Sequence, residues 1–140
     1  RAAINQRVTE LLELVGLAEA RTRQLRKFSK GMLQRIGLAQ ALIHDPELII
    51  LDEPLTGLDA ASARQVKEVL RQRVANGTTV IMTTHILEVA ERMAERIGVI
   101  AHGRLIAEGT LAELSAQAGH GGTNLEEIFL SLTSTESAAA

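Results

Sequence analysis

Two adjacent carboxylates, Asp52 and Glu53, follow the short apolar run Leu48–Leu51. Such a run, bounded by turn residues, predicts a buried strand of a parallel sheet, and parallel sheets bind ligands at the carboxyl ends of their strands. One carboxylate there can hold Mg²⁺ through water, and its neighbour can orient or deprotonate an attacking water. The pair therefore suits hydrolysis of a nucleoside triphosphate, although a strand followed by an acidic turn would account for the same residues.

Two other segments carry residues that could act on a phosphate. Ser29 is a suitable N-cap for a helix that begins near Lys30, and the N–H groups at a helix start favour an anion. Downstream, His85 follows a β-branched strand at Thr78–Thr83. The alternatives are an ordinary capped helix and a surface histidine, so neither segment decides the chemistry alone.

The elements that must position these residues alternate along the chain. Apolar spacing and caps predict helices, over about 4–15, 30–43, 60–75, 86–94, 110–117 and 125–132. Strands are predicted at 48–51, 78–83, 97–101 and 104–107, the last two as a hairpin, and a loose tail from 133. This alternation indicates a layered α/β fold.

The composition restricts the class of protein. The 140 residues fit one domain or part of a larger one, and with 46% hydrophobic but only 1% aromatic residues the core must be aliphatic. The net charge of −2 comes without a long basic block, which argues against a nucleic-acid surface, and the absence of cysteine excludes a disulfide framework. No apolar run approaches the ~20 residues of a membrane span, so other chains would have to form any membrane path.

Taken in order, the segment Phe28–Met32, the acidic strand, the Gly57-Leu58-Asp59 turn and His85 resemble the ATP-binding cassette (ABC) ATPases. The resemblance implies a partial P-loop NTPase fold, with a mostly parallel sheet preceded by part of the helical signature subdomain. Three segments are expected: a helical portion over 1–45, the C-terminal part of the α/β ATPase core over 46–118, and a linker, short helix and tail over 119–140.

The same resemblance implies roles for four residues of the α/β core. Asp52 would orient Mg²⁺, usually through water, and Glu53 would be the catalytic base or position the attacking water. His85 would hydrogen-bond the γ-phosphate of ATP, because the family places its strand beside the acidic one. Asp59 would cross to a second cassette, or cap the following helix, or do both in different states.

Phe28–Met32 occupies the position of the family's signature and is called the signature segment below. In the family this segment faces ATP held by a second, opposing cassette, so Ser29, Lys30, Gly31 and Met32 are the expected nucleotide contacts. Phe28, Lys30 and Met32 replace the commoner Leu, Gly and Gln. The Ser-Lys-Gly-Met version is similar to cassettes of bacterial ABC-2-type exporters, which favours an exporter over an importer.

The family's phosphate loop, a glycine-rich turn ending in Gly-Lys, does not occur in these 140 residues. The chain is therefore expected to be the C-terminal half of a cassette. The expected ligands are ATP and Mg²⁺, and the expected partners are a second cassette and transmembrane permease subunits at the cytoplasmic face of the membrane, with no nucleic acid. Two alternatives stay open: a non-transport ABC ATPase acting on nucleic acid or ribosomes, and a non-catalytic split cassette that only dimerises.

A polypeptide of these 140 residues alone should hydrolyse no ATP and should bind it weakly. The physical reason is that phosphate binding rests chiefly on the absent loop and its lysine. Phosphate release and equilibrium binding of a fluorescent ATP analogue measure the two properties. Turnover by the purified polypeptide that is lost on Glu53→Gln would contradict this expectation.

Overall fold

The computed structural model describes residues 2–119 and 124–139, which fall into two compact units divided between Thr83 and Thr84. The first unit contains α1 (Ala2–Leu14), α2 (Lys30–Ala41), β1 (Leu48–Asp52), α3 (Ala60–Ala75) and β2 (Thr79–Thr83), with short 3-10 turns at Ala18–Ala20 and Leu25–Lys27. The second unit contains α4 (Leu87–Met93), β3 (Ile97–Ala101), β4 (Arg104–Gly109), α5 (Leu111–Gln117) and α6 (Leu125–Ala139).

The two compact units are a different division from the three segments expected at 1–45, 46–118 and 119–140, and those boundaries stay a prediction. Residues 120–123 of the expected linker lie outside the described residues. The order of helices and strands agrees with the α/β alternation predicted from the sequence. Among the described residues, no helix combines the length and the hydropathy of a membrane span.

Polar caps begin three of the helices where the sequence predicts them. The Ser29 hydroxyl accepts from the Met32 N–H (3.3 Å) at the start of α2, and Asp59 accepts from the Ser62 N–H at the start of α3. Thr110 forms a reciprocal capping box with Glu113 at the start of α5. These short-range hydrogen bonds explain why the helix starts follow from sequence alone.

Strands β1 and β2 form a parallel pair in which Ile50 lies opposite Ile81. Helix α3, which connects the two strands, packs against β2. One face of the pair is covered, and Ile49 is only 3% exposed there, whereas Ile50 and Ile81 on the other face are 69% and 51% exposed. The prediction of a buried strand is therefore correct for one face of β1 and wrong for the other within this chain.

Asp45 ties the turn before β1 to two helices. Its backbone is left-handed, with φ = +48°, and its carboxylate accepts from Arg73 Nη1 of α3 (2.6 Å) and from Arg7 of α1. Arg7 also donates to the Leu42 carbonyl (2.9 Å) at the end of α2. The hydrogen bond from Arg73, followed by that from Arg7, holds the pKa of the Asp45 carboxyl below its usual range.

The second unit is built on the antiparallel β3–β4 hairpin, turned at His102-Gly103 as predicted. Its core is aliphatic and comprises Val99, Ala107, Leu114, Leu125 and Ile128. Helix α6 continues to Ala139, where the sequence predicted a loose tail from residue 133. The hydroxyl of Thr133 donates to the Phe129 carbonyl (2.9 Å), a back-bond that lets Ser and Thr remain within a helix.

Replacing Leu125 by alanine should destabilise the protein by about 2–5 kcal/mol, because this side chain is 1% exposed and its removal leaves a cavity. Leu130→Ala on the same helix is the matched control, since Leu130 is 57% exposed and should change stability by less than about 1 kcal/mol. Denaturant unfolding followed by circular dichroism measures both variants. Equal effects of the two substitutions would contradict the placement of α6.

Candidate functional site at the carboxyl end of β1

The last residues of the two parallel strands are paired directly, Asp52 with Thr83. The Thr83 hydroxyl donates a hydrogen bond to Asp52 Oδ1, so the neighbouring strand fixes the carboxylate. Asp52 remains exposed to solvent. The arrangement leaves an oriented, accessible oxygen ligand at the strand end, where parallel sheets bind their ligands.

Glu53 leaves the strand in a left-handed conformation, with φ = +47°. This region is uncommon for any residue other than glycine and persists only where the surroundings impose it. The Glu53 N–H donates to the Thr83 carbonyl (3.1 Å), and the Thr83 hydroxyl lies 3.3 Å from the same nitrogen. The side chain is oriented as well, because Glu53 Oε2 accepts from the Thr56 hydroxyl (2.8 Å).

Gln34 connects helix α2 to this strand end. Its Nε2 donates to the Glu53 backbone carbonyl at 2.8 Å, and the same carbonyl accepts from the Thr56 N–H at 3.2 Å. This contact was not predicted from the sequence. The available signal was its spacing from Leu38, which places the amide on the buried side of α2.

The start of α2 lies against the turn that follows the acidic pair. A Cβ added at Gly31 would lie 3.2 Å from Leu58 Cδ2, which is tighter than ordinary contact, so the missing side chain permits the approach. The Lys30 side chain lies against Gly57, with Cδ and Cε 3.6 Å from the corresponding Cβ position there. The first unit thus brings Lys30 and Gly31 of the signature segment beside the exit from β1.

Asp59 caps helix α3 with both carboxylate oxygens. Oδ1 accepts from the Ser62 N–H (2.9 Å) and Oδ2 from the Ser62 hydroxyl (2.8 Å). The backbone hydrogen bond from Ser62, followed by the hydroxyl, lowers the pKa of the Asp59 carboxyl. The helix-cap role is present in this structure, and a role across a second cassette stays a prediction.

His85 belongs to the second unit, where it is exposed and precedes α4 by two residues. Beside it, the Thr84 hydroxyl accepts from the Ile86 N–H (3.1 Å) and shapes the local turn. A contact between His85 and a phosphate stays a prediction, as do the nucleotide roles of Ser29 and Met32.

The residues around Asp52 suit Mg²⁺ that is shared with phosphate oxygens. Among the described residues, no group of three or more His, Cys, Asp or Glu side chains could hold a metal by itself. Mg²⁺ commonly takes one or two carboxylates, with phosphates and water completing its shell, and one accessible carboxylate satisfies that need. A cavity of about 160 Å³ beside Asp52 and Gln34 is smaller than the ~300–1,000 Å³ of small-molecule pockets.

Comparisons by family, by sequence and by structure all match this chain to ABC transporter proteins. The family described as ABC transporter matches residues 3–56. The daunorubicin/doxorubicin resistance ATP-binding protein DrrA of Streptomyces peucetius is 46% identical over 118 residues, which are 84% of this chain and 36% of that protein. The Nod factor export ATP-binding protein I of Rhizobium sp. (strain N33) is 41% identical over 126 residues, or 90% of this chain and 41% of that protein.

A solved structure of an ATP-binding subunit of an ABC transporter superposes on this chain with a TM-score of 0.86 at 33% identity. The match covers 95% of this chain and 55% of that chain. The chain therefore spans a little over a third of the length of the curated relatives named above and about half of this structure.

Asp59→Ala should lower the unfolding temperature at neutral pH. Asp59→Asn should lower the unfolding temperature much less, because an asparagine oxygen also caps a helix. Since hydrogen bonds lower the pKa of Asp59 in the folded state, its charge stabilises the fold above the unfolded value of about 3.9. That contribution is lost as the pH falls through the folded pKa. Thermal unfolding at a series of pH values measures it, and an unchanged unfolding temperature in Asp59→Ala would contradict the cap.

Proposed function

We propose, because the chain belongs to the ABC transporter family of ATP-binding proteins, that it forms the C-terminal half of a nucleotide-binding domain that hydrolyses ATP in an exporter. One observation carries the proposal. The first unit holds Asp52, Glu53 and the start of the signature helix α2 together, through the Gln34–Glu53 hydrogen bond and the contact of Gly31 with Leu58.

Glu53 is the residue proposed to act on water. Its carboxylate would orient the attacking water and take its proton, and the hydrogen bond from Thr56 to Oε2 sets the direction of the side chain. Asp52, oriented by Thr83, would hold Mg²⁺ through water. When Mg²⁺ is bound, it supplies positive charge that neutralises the phosphate oxygens.

The main contacts that bind the triphosphate are proposed to come from polypeptide of the same protein beyond these residues. The phosphate loop of the family does not occur among the 140 residues, and the chain spans little more than a third of DrrA. The exposed apolar residues Ile50 and Ile81 support the same proposal, because an uncovered sheet face of this kind is normally packed against another element. The added polypeptide would cover this face.

The signature segment is proposed to complete the site of an opposing cassette. Ser29 caps α2, and this helix start offers backbone N–H groups to the γ-phosphate of ATP bound there. Lys30 adds a positive charge beside them. At the cytoplasmic face of the membrane, closure of two cassettes on ATP and their separation after hydrolysis would drive transmembrane permease subunits. His85 would contact the γ-phosphate.

An exporter is favoured by two independent features. The Ser29-Lys-Gly-Met32 version of the signature is similar to that of ABC-2-type exporters. The names of two relatives refer to daunorubicin/doxorubicin resistance and to Nod factor export. The permease subunits, which would contact the cargo, would select it.

In the full-length protein, Glu53→Gln should retain ATP binding and lower the rate of hydrolysis by at least about 100-fold, since a general base contributes that much or more. The bound ATP should then hold two cassettes in a closed dimer. Phosphate release, binding of an ATP analogue and gel filtration with ATP measure the three properties.

Glu47→Gln is the matched control, because Glu47 is an exposed glutamate at the opposite end of the same strand. This control should hydrolyse ATP at the wild-type rate. Wild-type turnover by Glu53→Gln would remove Glu53 from its proposed role and, with it, the proposed mechanism.

A further inference from the structure

We propose that Gln34 is a positioning residue, which holds the backbone of Glu53 in the conformation from which its carboxylate acts. The inference rests on the proposed function, because it takes Glu53 as the residue that acts on water. It adds to the site a residue from the second turn of α2, which contacts the backbone of Glu53 directly.

The first argument is the conformation of Glu53. A left-handed glutamate at φ = +47° requires contacts that hold it there. The Thr83 carbonyl holds the amide side of the residue at 3.1 Å, and Gln34 Nε2 holds the carbonyl side at 2.8 Å. The bond from Gln34 spans 19 residues of the sequence, so it forms only once α2 has packed against the end of β1.

The second argument is the residue type at position 34. The amide oxygen of Gln34 is buried and has no hydrogen-bond partner among the residues that the structure describes. Burying such an oxygen opposes folding, so an apolar side chain of similar length would pack there at least as well. The amide nitrogen is then the useful part of the side chain, and its acceptor is the Glu53 carbonyl.

The consequence is a specific kinetic defect. Without the amide donor, the Glu53 carbonyl keeps only the longer hydrogen bond from the Thr56 N–H (3.2 Å), and the carboxylate moves relative to the attacking water. Misplacement of a catalytic group by about 1 Å can cost on the order of 100-fold in rate. ATP binding, which depends on other residues, stays unaffected.

The test uses the full-length protein with Gln34→Met, which retains the length of the side chain and removes the donor. The value of kcat for ATP hydrolysis should fall by roughly ten- to a hundred-fold, while KM for ATP and the unfolding temperature stay near wild type. Gln40→Met is the matched control, because Gln40 is an exposed glutamine on the same helix. It should keep the wild-type kcat.

A second variant, Gln34→Glu, tests the hydrogen bond itself. An ionised carboxylate cannot donate to the Glu53 carbonyl, whereas a protonated carboxyl group can. The kcat of this variant relative to wild type should therefore rise as the pH falls, an effect that a packing role alone would not produce.

The outcomes separate this inference from the proposed function. If Glu53→Gln abolishes turnover while Gln34→Met keeps the wild-type kcat, the positioning role is wrong and the proposed function stands. If Gln34→Met loses stability and Gln34→Glu shows no pH-dependent recovery, Gln34 has only a packing role. If Glu53→Gln retains turnover, the proposed function fails and the positioning role fails with it.

Discussion

The parallel pairing of β1 with β2 is the constraint on which the candidate site depends. In the observed register Asp52 lies opposite Thr83, and the first residue beyond the strand, Glu53, still donates its N–H to the Thr83 carbonyl. Because side chains alternate along a strand, a shift of one residue would turn Asp52 to the covered face. Register therefore decides both the accessibility of one acid and the backbone contact of the other.

Both ends of β1 are secured by residues outside the sheet. At its start, left-handed Asp45 binds arginines of α1 and α3, and at its end, left-handed Glu53 is held by Gln34 of α2 and by Thr83. Each turn changes the chain direction sharply, and each is stabilised by side-chain hydrogen bonds. The three helices of the first unit thus hydrogen-bond to the turns at the two ends of one short strand.

The packing of α2 joins two motifs that lie apart in the sequence. Its first turn carries the signature segment, and its next turn carries Gln34. Gly31 allows the helix to approach Leu58 closely, so the helix start and the exit from β1 form one packed structure. Ile50 and Ile81 lie on the exposed face of the strand pair, where they are 69% and 51% exposed.

The sequence alone predicted the family, the order of helices and strands, and the caps at Ser29 and Asp59, because these depend on motifs and on contacts within about one helical turn. It did not predict the extent of α6 or the left-handed backbone of Glu53. The partners of Gln34 and Asp45 were decided only by tertiary structure. These bonds join residues 19 and 38 positions apart, and such pairs meet only after the strands and helices have packed, which no local pattern records.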